Sequence, residues 1–172
     1  DELKELGATD IKKLRRAVEF SGNKKMMYKS NYALRTALSV LVPIHEFKAI
    51  DDTSFYKGIS EINWHKIIGE KDTLAVSSAV SSKHFSHSKF ISLRTKDAIV
   101  DQLKRRRGFR PDVDTMDPKI KINVYVSNDN VIVSLDSSGE SLFKRGYRVN
   151  GYIAPINEVL AAGMIKLAGW HG

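Results

Sequence analysis

The sequence predicts an α+β protein, and three observations carry that reading. Lys24 to Val40, Ser88 to Arg107 and Ala154 to Leu167 place apolar residues at helical spacing. Thr73 to Val80, Ile120 to Val126 and Val131 to Leu135 alternate apolar and polar residues, as half-buried strands do. Asn128-Asp129-Asn130 separates the last two strands, and these residue types tolerate the positive φ of a tight hairpin.

In chain order, residues 1–6 read as the end of a helix, closed by Gly7. The protein is therefore expected to begin further upstream. Ile11 to Phe20 reads as strand, divisible into two short strands around Leu14-Arg15-Arg16. Ser21-Gly22-Asn23 is a turn. The helix Lys24 to Val40 carries Met27, Tyr28, Asn31, Leu34 and Leu38 on one face. Val40 to Phe47 is a strand in which Pro43, lacking an N–H, requires an edge or a bulge. The order α-β-(β)-α-β is that of a ferredoxin-like half-sandwich without its first strand, over residues 1–50.

The polar junction Lys48 to Thr53 marks a domain boundary. Ser54 to Ile68 follows as helix, then the strand from Thr73. Ser86 or Ser88 can cap the next helix. Its buried stripe is Ile91, Ala98, Ile99 and Leu103, and Gly108 ends it near Arg107. Pro111 to Pro118 is an acidic, turn-prone loop. In the last helix Pro155 suits the first turn, with Ile156, Leu160, Met164 and Leu167 on one face.

Composition narrows the function. At 172 residues and 42% apolar content the chain can bury one core or two small ones. No apolar run approaches eighteen residues, so no membrane span is expected. With no cysteine, disulfides, cysteine-rich zinc sites and thiol nucleophiles are excluded, and the cytoplasm is the default compartment. Neither standard phosphate-binding glycine loop occurs, nor a zinc-protease helix motif or a nucleophile elbow. His84 and His87 (HFSH) could pair on a metal, but no second ligand cluster follows them. They better suit the flank of a basic patch or donation to a phosphate. Asp112, Asp114 and Asp117 lack the glycine and distal glutamate of a calcium loop and read as turn residues. No metal and no catalytic residue is expected.

The formal net charge is +8. Between Lys83 and Arg110 nine Lys or Arg stand against two acids, so this stretch holds almost all of the excess. Such clustering points to a polyanion, although a basic last turn also suits the helix dipole of a merely solvated helix. Lys83, His84, His87 and Lys89 gather at the helix start, where free N–H groups could hold a phosphate. Arg94 follows, then Lys104, Arg105, Arg106, Arg107 and Arg110. Phe85, Phe90 and Phe109 interleave with the cations: Phe90 is assigned to the core, while Phe85 and Phe109 are open to base stacking. A second basic tract, SLFKRGYR, offers Lys144, Arg145 and Arg148, with Tyr147 between, as an extension of that surface or as a connector.

The combination of SSKHFSHSKFISLRTKDAIVDQL, VDTMDPKIKINVYVSNDNVIVSLDSSGESLFKRGYR and NEVLAAGMIKLAGW resembles the front of bacterial THUMP-containing RNA methyltransferases. The nearest group is the 23S rRNA guanine-N2 family, often labelled N6-adenine DNA methylase. The resemblance covers essentially the whole chain. It implies a partial ferredoxin-like domain (1–50), a THUMP domain (53–149), and a linker with the first helix of a Rossmann-type methyltransferase domain (150–172). It implies an RNA partner, rRNA first and tRNA second, and no membrane. The family's glycine-rich S-adenosylmethionine loop and its Asn-Pro-Pro-type motif would both fall after Gly172. The chain is thus expected to bind RNA and to leave cofactor and catalysis to the downstream domain. Rival expectations are a DNA-modifying enzyme and a protein-docking domain whose charge aids solubility.

Overall fold

The computed structural model describes residues 1–14, 17–114, 116–146 and 154–170. They form α1 (Glu2–Glu5), β1 (Thr9–Leu14), β2 (Ala17–Ser21), α2 (Lys24–Ala33), β3 (Leu41–Lys48), α3 (Asp52–Glu61), a 3₁₀ turn (Trp64–Lys66), β4 (Leu74–Ser81), α4 (Ser88–Arg107), β5 (Ile120–Ser127), β6 (Asn130–Asp136) and α5 (Glu158–Leu167). The expected break at Arg15-Arg16, and Tyr147 and Arg148, lie outside the described residues. Among the described residues no helix is long and apolar enough to cross a membrane. The chain divides into two compact units, Asp1–Val40 with Glu140–Gly172, and Leu41–Gly139.

The first unit has a small core of Leu3, Leu34 and Val40, flanked by Ile11, Phe20, Met27 and Leu142. β1 and β2 pair antiparallel, with Lys12 opposite Glu19. Asn23 caps α2 by accepting the Met26 N–H at 3.0 Å. The periodicity of Lys24 to Val40 predicts a longer helix than the one formed, which ends at Ala33. The reason is a long-range exchange of partners. Continuing the helix would send the Arg35 and Thr36 N–H groups to the Asn31 and Tyr32 carbonyls. Instead both N–H groups donate to the Glu2 carboxylate, at 3.1 and 3.2 Å. The Asn31 and Tyr32 carbonyls accept from the Arg145 guanidinium. α5 starts at Glu158, three residues after Pro155, because Asn157 accepts the Val159 N–H and caps it there.

The second unit is a four-stranded sheet in the order β3-β6-β5-β4. β4 and β5 run parallel, joined through α4, and the other pairs are antiparallel. β3 therefore belongs to this sheet and not to the front half-sandwich, and the compact units divide just before Leu41. Pro43 satisfies both of its requirements: β3 is an edge strand, and the register with β6 slips between Pro43 and His45. Asn128 takes φ +52° in the β5–β6 turn, a conformation Asn adopts more readily than most residues. Asp114 accepts the Met116 and Asp117 N–H groups, so the acidic loop uses that carboxylate to build its turn.

The core is Phe55, Ile59, Trp64, Ile91, Ile99 and Leu103 with sheet valines 124, 126, 131 and 133. Asp51 and Ser54 form a reciprocal capping box at the start of α3. Gly58 lets α3 approach β3, since a Cβ there would stand 2.2 Å from the Phe47 ring. α3 stops at Glu61, short of the expected Ile68, because buried Gln102 of α4 takes over its end. Gln102 Nε2 donates to the Ser60 and Ile62 carbonyls, both at 2.8 Å, and its Oε1 accepts the Trp64 N–H at 3.0 Å. One side chain thus bonds three backbone groups where α3 ends, of which the Trp64 N–H and the Ile62 carbonyl also pair with each other at 2.9 Å.

Candidate nucleic-acid interface

α4 is the axis of the candidate site. Its twenty residues span roughly 30 Å at the α-helical rise. That length separates the basic stretch into two clusters that cannot share one phosphate.

At the N-terminal end, His87 is the N-cap residue, in an extended conformation, and makes no side-chain capping bond. Neither Ser86 nor Ser88 caps, contrary to the sequence expectation. Ser88 is already helical, and its carbonyl accepts from the Ser78 hydroxyl at 2.6 Å. His84 Nε2 lies 3.4 Å from the Asp129 carboxylate in the β5–β6 turn, so this imidazole faces an acid of its own protein. Lys83 and Lys89 are exposed. The phenylalanines exchange the expected roles. Phe85 is 5% exposed and packs on Phe55, ring centroids 5.7 Å apart, whereas Phe90 is 45% exposed. Phe90 precedes Ile91, the first residue of the buried stripe, and so points about 100° away from it. Phe109 packs half-buried on the core.

Midway along, Arg94 is already paired. Its Nε and Nη2 donate to the two Asp52 oxygens at 2.6 and 2.8 Å, and its guanidinium stacks 4.3 Å over Tyr56. The Tyr56 hydroxyl donates to Asp101 at 2.7 Å, which raises its pKa above the usual phenol value. This set ties α3 to α4 and neutralises Arg94. Arg94, expected at the phosphate, thus already has a carboxylate partner.

The C-terminal end is different. Lys104, Arg105, Arg106, Arg107 and Arg110 are all exposed, and none forms an ion pair among the described residues. Gly108, at φ +72°, ends the helix and accepts no Cβ strain. A groove of about 350 Å³ runs beside this turn, lined by Asp97, Asp101, Lys104 and Arg110 among others. The 3₁₀ turn adds two residues that sequence reasoning missed, His65 and Lys66. His65 Nδ1 stands 3.5 Å from Arg106 Nη1. Burial first, then Arg106, Arg107 and Lys66, hold its pKa below the ordinary 6.5. No local signal marks these two, because forty residues separate them from the turn they join.

In the first unit, the described residues of the second basic tract supply no comparable surface. Arg145 Nε donates to the Leu142 carbonyl at 2.8 Å, Nη2 to Asn31 and Leu34 at 2.9 and 2.7 Å, and Nη1 to Tyr32. A guanidinium so engaged has little left for a phosphate, and Arg145, expected at the RNA, clamps the end of α2. Burial lowers its pKa, but an arginine stays charged throughout. Lys144 is exposed and lies 3.5 Å from Glu140.

Among the described residues no group of three His, Asp or Glu is placed to hold a metal. The C-terminal cluster offers charge and donors to a polyanion, without an acid/base pair or a nucleophile.

Comparison with known proteins gives this surface a context. The THUMP domain profile matches residues 50–136, and that of the RlmL ferredoxin-like domain matches residues 1–41. Over 170 residues the chain is 38% identical to a ribosomal RNA large subunit methyltransferase K/L of Syntrophotalea carbinolica. That alignment covers 99% of this chain and 24% of that protein. A predicted N6-adenine-specific DNA methylase from Listeria monocytogenes superposes with a TM-score of 0.82 at 27% identity, over 99% of this chain and 44% of that one. A possible methylase from Clostridium difficile gives 0.79 at 31% identity, over 98% and 45%. The chain spans about a quarter of the length of the curated relative and under half of either crystallised one.

Proposed function

The chain belongs to the THUMP-domain family, and from that membership and the cationic end of α4 we propose that it is the RNA-docking front of an S-adenosylmethionine-dependent RNA methyltransferase. In this reading it binds structured 23S rRNA and presents one guanine to a catalytic domain later in the same polypeptide. The observation that carries RNA docking is the exposed, unpaired run Lys104 to Arg107 with Arg110, joined in space by Lys66. The identity to a ribosomal RNA methyltransferase supports the choice of rRNA. α5 would be the first helix of the catalytic domain: Leu160, Met164 and Leu167 are exposed here, as the apolar face of an element awaiting partners would be.

Recognition would work through phosphates and helix shape, because A-form duplexes hide base edges in a deep, narrow major groove. The described residues do not fit S-adenosylmethionine. Residues 154–157 ahead of α5 form no strand, and the Val159 N–H in the first turn of α5 is taken by Asn157. The cofactor would be held by the later domain.

The test is RNA binding across a salt series. Affinity for an rRNA stem should fall steeply with salt, as neutralised phosphates release counterions. A salt-independent affinity would refute electrostatic docking. Competition with tRNA and with duplex DNA separates the alternatives. DNA binding equal to that of RNA would favour the activity named for the Listeria relative.

A further inference from the structure

We propose that His65 and Lys66, with Arg106 and Arg107, form a phosphate clamp in which His65 takes up a proton when an RNA phosphodiester binds. The proposal rests on the RNA-docking reading and assigns a binding role to a turn that carries no motif.

The clamp is built by a buried anchor. Trp64 is fully buried; its indole N–H donates to the Ile59 carbonyl at 2.9 Å and its backbone N–H to Gln102 Oε1 at 3.0 Å. Gln102 and Arg106 are four residues apart on α4 and share a helix face. The contact that fixes Trp64 against Gln102 therefore sets His65, the next residue, against Arg106, one turn further on. His65 is half-buried and Lys66 exposed. The pair is held in register by the core.

The chemistry of the contact selects an anion. A guanidinium is a donor only, so a hydrogen bond from Arg106 Nη1 to His65 Nδ1, 3.5 Å apart, requires a neutral imidazole with its hydrogen on Nε2. The charged groups that reach His65 are Lys66 from its own turn and Arg106 and Arg107 from α4. Glu61 of α3 faces His45 instead, 3.8 Å away. No carboxylate of the described residues offsets the cations around His65. The α4 dipole complements part of this charge, whereas Arg94 has the carboxylate of Asp52. An incoming anion would complement the rest.

A phosphate entering among Arg106, Arg107 and Lys66 reverses the field at the imidazole. An anion within a few ångströms favours the protonated form, and His65 then becomes a further donor. The linkage has a definite sign. The pKa of His65 is low in the free protein and higher in the complex. Affinity is therefore independent of pH well above the bound-state value, rises as pH falls through the window between the two values, and levels off below the free value. The gain is about tenfold for each pKa unit by which binding raises the group.

The experiment measures affinity of the whole chain and of His65→Gln for an rRNA stem at pH 7.8 and 5.8, at fixed ionic strength. Glutamine keeps an acceptor and a donor but cannot titrate. Wild type should bind about three- to tenfold tighter at the lower pH, the range expected for a shift of half to one unit. His65→Gln should lose most of that rise, since the titrating group is removed. NMR titration of the His65 ring in wild type, with and without RNA, reads the same shift without a variant. A pH rise retained in His65→Gln, or a His65 titration unmoved by RNA, overturns the clamp. Binding that is salt-sensitive but flat with pH overturns the clamp alone, whereas absence of RNA binding at any pH overturns the docking reading and the clamp with it.

Discussion

Lys104-Arg105-Arg106-Arg107 and Lys144-Arg145 are both basic runs that end at a glycine with positive φ, +72° at Gly108 and +71° at Gly146. As sequence they invite one interpretation; as structure they do opposite things. The first run is itself the last turn of a helix. Its backbone is satisfied by that helix, the cations complement the dipole, and the side chains project outward. The second run lies in irregular chain beside the end of α2, where carbonyls need donors. Arg145 supplies them and its charge turns inward. The difference teaches that a cation is available to a ligand only where its own backbone surroundings are already satisfied.

The sharpest way to break this comparison is to reverse the charges of Arg105, Arg106 and Arg107 together to glutamate. RNA affinity at moderate salt should fall on the order of a thousandfold, and the slope of log affinity against log salt should decrease by about two to three. Thermal stability should fall modestly, since glutamates oppose the dipole at that helix end, and the chain should stay folded. Unaltered RNA binding would hand the function to a protein-docking reading. Arg145→Ala should do the reverse. It leaves the carbonyls at the end of α2 without charge-assisted donors and should cost about 2–3 kcal/mol locally. Faster hydrogen exchange of the α2 amides would report it, with RNA affinity within about twofold of wild type on the assumption that its charge is turned inward.

Glu2 sharpens the same contrast through pH. Its pKa lies below the ordinary 4.5: burial opposes the charge, but hydrogen bonds from Thr36 and Arg35 and the nearby Lys166 outweigh it. Its stabilisation is present above the unfolded value and is lost as pH falls through the lowered one. Acid below the ordinary carboxylate range should thus loosen the end of α2 in wild type, and Glu2→Gln should flatten that dependence in hydrogen exchange. The smallest effect is expected from Lys144→Glu, which removes only an exposed ion pair with Glu140. Stability should shift by less than about 0.5 kcal/mol. A large loss of RNA affinity in that variant would restore the second basic tract to the interface.

Most elements were legible because their signals are local. The β5–β6 hairpin followed from Asn128-Asp129, the position of β3 from Pro43, and the end of α4 from Gly108. The α+β class, the ferredoxin-like front and the THUMP resemblance agree with the family profiles. The ends of α2 and α3 were not legible. Each is decided by a side chain far along the chain, Arg145 for one and Gln102 for the other. Phe85 and Phe90 show the same limit at close range. Both sit beside the start of α4, and only the packing of Phe55 beneath it determines which ring is buried.

By itself the sequence determined the fold class, the helix and strand periodicities, and where positive charge is concentrated, because these depend on residue type and spacing alone. Tertiary structure decided which charges face outward. Arg94 met Asp52, Arg145 met the carbonyls of α2, and His65 met Arg106. Availability depends on partners that folding brings from 41 to 114 residues away.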